Sequence, residues 1–193
     1  GGFVAFELAH LAAVCGARAT ILTHGDRALR RFDADAVARL VEATRAMGIA
    51  VHLNAPVTRL DKEVHGLCVG VPGQDIAADM VVNAAGRPAA LDGLGLDLAG
   101  VAFGPAGVRV NEFLQSVSNP DVYAAGDCLD APYALTPTAD LESHVVGENL
   151  LSGNTTPINR LGTPSVLFTQ PPLAMAGLTE ADCRAQGIPH TKK

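Results

Sequence analysis

Tryptophan is absent from this 193-residue chain, and aromatic residues make up only 4 % of it. Large rings are scarce, so aliphatic side chains and close helix–strand packing must supply most of the core. No uninterrupted apolar run approaches the roughly 20 residues of a membrane-spanning helix. The longest candidate, residues 3–23, is broken by Glu7, His10 and Arg18. Positive charge is not in excess either: the net charge of −6 removes the electrostatic case for nucleic acid. The cysteines, Cys15, Cys68, Cys128 and Cys183, form no C-x-x-C pair and suit neither a zinc site nor a disulfide framework. They are expected to be buried thiols, Cys128 included. The histidines show no metal-ligand spacing, and His65 and His144 are expected to face solvent or to be satisfied locally. No signal-peptide pattern, internal repeat or initiator methionine is visible.

What is present is 48 % hydrophobic residues, dominated by Ala and Gly. That composition suits an α/β protein with close helix–strand packing. An apolar helix is expected from about Val4 to Val14, stopped by Gly16, followed by a strand over Ala19–Thr23. Ala36, Val37, Leu40, Val41 and Met47 carry helical spacing, with Asp33 or Asp35 as cap and Gly48 as stop. Ile49–Leu53 reads as a strand. Pro56–Leu60, Val64–Val69 and Gln74–Asp79 read as a meander punctuated by Gly66, Gly70 and Gly73. Met80–Ala84 reads as a fully apolar strand, and Val108–Glu112 and Val122–Ala125 as further strands. A helix runs from Pro137 to about Leu151. Thr155–Arg160 reads as a linker, and residues 177–181 as a turn and helix start with Thr179 as N-cap.

Two segments carry chemistry. Gly1-Gly2-Phe3-Val4-Ala5 reads as the dinucleotide fingerprint G-x-G-x-x-G/A entered partway, with Gly2 as its second glycine and Ala5 as its third small position. Its first glycine and preceding strand would lie before residue 1, so the chain is expected to be a fragment of a longer protein. Further on, Tyr123-Ala124-Ala125-Gly126-Asp127 reads as a short buried strand ending in small residues and an acid. Leu135-Thr136-Pro137-Thr138-Ala139 follows as a helix start, with Pro137 in the first turn, where a missing N–H costs nothing. Ala125 and Gly126 admit a ligand close to the backbone, and Asp127 can accept hydrogen bonds from sugar or polyol hydroxyls. The helix start aims free N–H groups and a positive dipole end at an electron-rich ligand edge.

In this order, the two halves of the second feature resemble the C-terminal flavin-binding segment of the pyridine nucleotide-disulfide oxidoreductases. Ala85-Gly86-Arg87-Pro88 resembles the A-T-G-R-x-P turn of that family, with Ala85 in place of Thr and the proline shifted. Gly93-Leu94-Gly95-Leu96-Asp97 resembles its structural G-L-G-L-(D/E) stretch. The resemblance implies FAD at Gly126, Asp127, Leu135 and Thr136, and a nicotinamide dinucleotide at Gly2, Phe3, Glu7, Gly86 and Arg87. Phe3 would be the aromatic that covers the flavin, and Glu7 the glutamate near the nicotinamide carboxamide. The plain alternatives are a packed Phe3, a solvated Glu7 and a surface Arg87. No acid stands at the Thr23-His24 strand end, and His24 and Arg30 align with the basic residues that bind the 2′-phosphate in the glutathione reductase branch. NADP is thus expected, with NAD possible, against a solvated basic loop as the alternative.

The implied architecture is a Rossmann-like nicotinamide-nucleotide domain lacking its first strand (1–105), the C-terminal segment of an FAD domain (106–160) and the start of an α+β dimerisation domain (161–193). The implied parent passes a hydride from NAD(P)H through flavin to a small-molecule or disulfide acceptor, as a cytoplasmic homodimer. No catalytic residue is expected in this chain, since the family's C-x-x-x-x-C pair and its C-terminal His–Glu pair are not in it, and His190 lacks the family's flanking residues. The alternatives are a related transhydrogenase or oxidase without the cysteine pair, and an inert truncated product.

Overall fold

The computed structural model describes residues 1–131 and 134–192. They form two compact units: Gly1–Gly86 together with Pro164–Lys193, and Arg87–Thr163.

The first unit is built on a β–α–β core. Helix α1 (Phe3–Val14) is apolar all round, buries Phe6 and His10, and leaves Val4, Leu8, Leu11 and Val14 exposed. Gly16 stops it at φ +88°, the left-handed position that a helix C-terminus favours for glycine. Strand β1 (Thr20–Leu22) pairs in parallel with β2 (Ala50–His52), placing buried Ile21 beside buried Val51. Between them, α2 (Ala34–Ala46) turns Val37, Leu40, Val41 and Thr44 inward. Asp33 occupies its N-cap position without capping it; its Oδ1 accepts the Glu180 N–H at 2.9 Å instead. A three-stranded antiparallel meander follows, β3 (Arg59–Glu63), β4 (Gly66–Val71) and β5 (Gln74–Ala78). Gly66 opens β4 at φ +114°, where a Cβ would lie 2.8 Å from the Ala78 carbonyl oxygen. The close strand approach therefore demands glycine there.

The meander begins later than the sequence pattern predicts, its first strand at Arg59 rather than Pro56. The expected strand at Met80–Ala84 does not form: Met80 is 78 % exposed, and no strand is assigned to 80–84. Apolar composition supplies strand propensity, but a ladder needs a neighbour for its N–H and C=O groups. None of the described strands pairs with this segment. Cys15 is likewise a correction, being exposed just past α1, whereas Cys68 is buried.

The C-terminal part of this unit is a hairpin, strand β8 (Pro164–Leu167) against strand β9 (Leu173–Ala176), then helix α4 (Glu180–Ala185). Thr179 caps α4 in a reciprocal box with Asp182. Leu167, fully buried, joins the core of Phe6, Ile21, Phe32, Leu40 and Ile49.

The second unit opens with the short hairpin β6 (Phe103–Gly104) and β7 (Gly107–Val108). The expected strand over 108–112 shrinks to that pair plus isolated bridges from Val108 to Leu129 and from Val110 to Ser116. Val122–Ala125 makes only the bridge from Gln115 to Tyr123 and is half-buried, so this expected strand is also corrected. A single 3-10 turn covers Gly126–Cys128, and helix α3 spans Thr136–Ser152. Cys128 packs beside Val108, as expected, with its Sγ 3.2 Å from the Ala125 carbonyl oxygen.

Candidate functional site

In the second unit, the Gly126–Cys128 turn is clamped to α3 by one side chain. Glu142, on the second turn of the helix and 1 % exposed, accepts the Gly126 N–H on Oε2 at 2.8 Å. Its other oxygen takes both Nε (2.9 Å) and Nη2 (2.7 Å) of Arg160. A buried carboxylate is tolerable only when its lone pairs are satisfied and its charge is met, and here both conditions hold. The clamp brings Gly126 (φ +76°) against the helix, so that a Cβ would lie 3.4 Å from that of Ala139. Asp127, next in the turn, is exposed and makes no hydrogen bond among the described residues.

The N-terminus of α3 faces the same turn. Leu135 occupies its N-cap position in extended conformation and offers no capping side chain; Pro137 sits in the first turn, as expected. The Leu135 carbonyl accepts the Thr138 and Ala139 amides, each at 3.0 Å. The Thr138 hydroxyl is buried without a partner, the one such side-chain atom among the described residues. An uncapped helix start and an orphaned hydroxyl suit an electron-rich edge, and the free carboxylate on the clamped glycine turn suits hydroxyl donors; a flavin nucleotide offers both.

Below the clamp, Asn149 is 1 % exposed and satisfies all four of its hydrogen bonds. Its Nδ2 donates to the carbonyls of Phe113 (3.0 Å) and Thr156 (2.8 Å), and its Oδ1 accepts the amides of Thr155 (3.1 Å) and Thr156 (2.9 Å). It fastens the segment leading to Arg160 onto α3. Neither Glu142 nor Asn149 nor Arg160 stands out in the sequence. The sole signal is two polar residues seven apart, about two helical turns, within an otherwise weakly amphipathic helix.

In the first unit, Gly1 packs tightly, a Cβ there meeting the Thr23 side chain at 2.6 Å, whereas a Cβ on Gly2 would meet nothing within 4 Å. Gly2, at the N-cap of α1, is therefore open to a ligand. Phe3 is half-buried and packs its ring on Phe32, centroids 5.3 Å apart. Glu7 is held, not solvated: its Oε1 accepts the Phe168 N–H at 2.9 Å. His24 is exposed past the end of β1, and Arg30 donates from Nη2 to Asp26 at 2.8 Å in an exposed pair. Gly86 ends this unit at φ +115° with open space around it. Arg87 begins the other unit and is exposed.

Burial, with nearby Asp75 and Glu63, pushes the Cys68 thiol up, the reverse of a reactive thiolate. Among the described residues no three His, Cys, Asp or Glu side chains are placed to hold a metal, and no helix is long and apolar enough to cross a membrane. His65 is exposed, and exposed His144 places Nδ1 2.8 Å from the Asp140 carbonyl oxygen.

The sequence profile of the pyridine nucleotide-disulphide oxidoreductase family matches residues 1–143. Among curated proteins, glutathione reductase of a Nostoc species is 32 % identical over 96 % of this chain and 43 % of its own length. Mercuric reductase of Streptomyces lividans is 32 % identical over 98 % of the chain and 40 % of its own length. Among solved structures, the HOCl-induced flavoprotein disulfide reductase RclA from Escherichia coli superposes with a TM-score of 0.81 at 26 % identity. That match covers 96 % of this chain and 43 % of RclA. The chain thus spans about two fifths of the length of these relatives.

Proposed function

Because the chain belongs to the pyridine nucleotide-disulphide oxidoreductase family, we propose that it carries cofactor-positioning groups of an NAD(P)H-dependent flavoprotein disulfide reductase. The observation that carries this reading is the Gly126–Asp127 turn clamped under the uncapped start of α3, with the Thr138 hydroxyl without a partner among the described residues. Bound FAD would supply the hydride-accepting and electron-passing chemistry. Asp127 would accept hydrogen bonds from its polyol hydroxyls. The Leu135–Thr136 end of α3 would set N–H groups and a positive dipole end toward the flavin edge that gains negative charge on reduction.

On the nicotinamide side, open Gly2 would let the dinucleotide approach the α1 N-terminus, and Gly86 with Arg87 would flank it. Phe3 would cover the flavin and Glu7 would hold the carboxamide through its second oxygen. His24 and Arg30 favour NADP over NAD: no acid ends β1 to bind a ribose hydroxyl pair, and a 2′-phosphate would displace Asp26 from Arg30. The three segments 1–105, 106–160 and 161–193 would serve as nicotinamide, flavin and dimerisation parts of a cytoplasmic homodimer acting on a small-molecule or disulfide substrate. The electrons would reach a cysteine pair that this chain does not contain.

The test is the visible spectrum of the full-length parent before and after NADPH. A bound flavin that bleaches, with a long-wavelength thiolate–flavin band, is expected. Bleaching without the band would refute the disulfide-reductase reading in favour of an oxidase or transhydrogenase. Absence of flavin would sink the assignment of Asp127 and Thr136.

A further inference from the structure

The hairpin segment just past β8 is fastened to α1 by two side chains one helical turn apart. Phe168 and Gln170 are both exposed, yet their backbone N–H groups are taken up. Phe168 N–H donates to Glu7 Oε1 at 2.9 Å, and Gln170 N–H donates to His10 Nδ1 at 3.1 Å. Between them Thr169 turns inward, buried, beyond the fully buried Leu167.

The directions of the bonds at His10 leave one protonation state. A backbone amide only donates, so Nδ1 must be a bare acceptor. Nε2 lies 2.9 Å from Thr44 Oγ1, whose own proton goes to the Leu40 carbonyl at 2.7 Å. Thr44 therefore accepts, and Nε2 carries the hydrogen. The chain Gln170 N–H to His10 to Thr44 to Leu40 runs in one direction, through a ring that is 4 % exposed and a threonine that is fully buried. A second proton on the ring would set N–H against N–H at Gln170 and place a charge in a dry site.

We propose that His10 is a positioning residue: held as the neutral Nε2–H imidazole, it clasps the 168–170 backbone onto α1, keeps the Phe168 amide on the Glu7 carboxylate, and releases both in acid. Charged neighbours do little to oppose this. Glu7 is the sole other ionisable residue of α1 and is engaged with Phe168. On α2 the ionisable residues are Asp35, Arg39, Glu42 and Arg45, with Arg45 turned to the Val51 carbonyl at 3.0 Å. Residues 164–176 contain none. Burial correspondingly lowers the His10 pKa from its ordinary value of 6.5. The unfolded chain thus binds this proton more readily than the folded one. The clasp's contribution is complete above about pH 6.5 and is lost as pH falls through the lower folded value. Its bearing on nicotinamide binding rests on the reading of Glu7 above; the clasp itself does not.

Amide hydrogen exchange, read by NMR from pH 7.5 to 4.5 with the β8–β9 ladder amides as reference, tests it on the chain itself. Gln170 should lose protection about tenfold per pH unit below the His10 titration. His10→Gln presents an oxygen to Gln170 and an NH2 to Thr44, so its Gln170 protection should be high and flat with pH. His10→Phe should leave Gln170 unprotected throughout. Ring-nitrogen spectra should show the Nε2–H tautomer at pH 7.5. An Nδ1–H tautomer, or a His10→Gln profile that follows the wild type, would overturn the proposal. Should His10→Phe fail to fold, His10→Gln and the tautomer still decide it.

Discussion

Removing the Glu142 carboxylate should cost the second unit much of its stability. The side chain is 1 % exposed and receives three charge-assisted hydrogen bonds, two from Arg160 and one from the Gly126 amide. Truncation in Glu142→Ala leaves a guanidinium whose side chain is only 21 % exposed without its counter-charge. It also leaves the Gly126 N–H without its acceptor. Breaking one half of a buried pair typically costs about 3–5 kcal/mol, a large share of the ~5–15 kcal/mol that holds a domain folded. Glu142→Gln can satisfy Gly126 or Arg160 but not both, and a lost bond to a charged partner is worth about 1.5–3 kcal/mol. The assay is selective because the chain has no Trp and both tyrosines, Tyr123 and Tyr133, lie between Arg87 and Thr163. Tyrosine fluorescence during urea unfolding therefore reports that unit alone. A Glu142→Ala transition within about 0.5 kcal/mol of the wild type, the range of an ordinary surface change, would refute the clamp. So would equal losses in Glu142→Ala and Glu142→Gln, because Gln keeps one of the bonds that Ala loses.

The same unit offers three further checks. Asn149→Asp keeps the shape but turns two donors into acceptors facing the Phe113 and Thr156 carbonyls; a loss of about 2–4 kcal/mol by tyrosine-detected unfolding is expected, and a neutral result would show that Asn149 is not the fastener. Gly107→Ala should be severe, more than about 3 kcal/mol. At φ +138° its Cβ would fall 2.3 Å from the Leu129 carbonyl carbon and 2.5 Å from Asp130 N, all rigid backbone. Gly147→Ala, inside α3 with nothing within 4 Å of the added carbon, should instead stabilise by about 0.5–1 kcal/mol. A fall in midpoint there would mean that this face of the helix is covered.

Helices and their stops were legible because they depend on local rules. Gly16 and Gly48 end α1 and α2 at positive φ, Thr179 caps α4, and Pro137 sits in the first turn of α3. Each needs only its immediate neighbours. Strands are less legible. Met80–Ala84 and Val122–Ala125 have strand composition, but a strand is a property of two segments, and composition describes only one of them. The site shows the same division. Gly126, Asp127, Leu135 and Thr136 were marked by residue type and order. The group that holds the turn to the helix, Glu142, looked like any helical glutamate.

By itself, then, the sequence determined the α/β class, the positions of its helices, the glycine-opened start of α1, and the glycine turn and helix start of the second unit. Those follow from backbone sterics and hydrophobic periodicity, which act over a few residues. Only the tertiary structure decided which polar side chains would be stripped of water: Glu142 paired with Arg160, Asn149 threaded through four backbone groups, and His10 and Glu7 bound to a segment 160 and 161 residues away. Burial makes such a group depend on its partners, and partners so distant along the chain meet only once the core has closed.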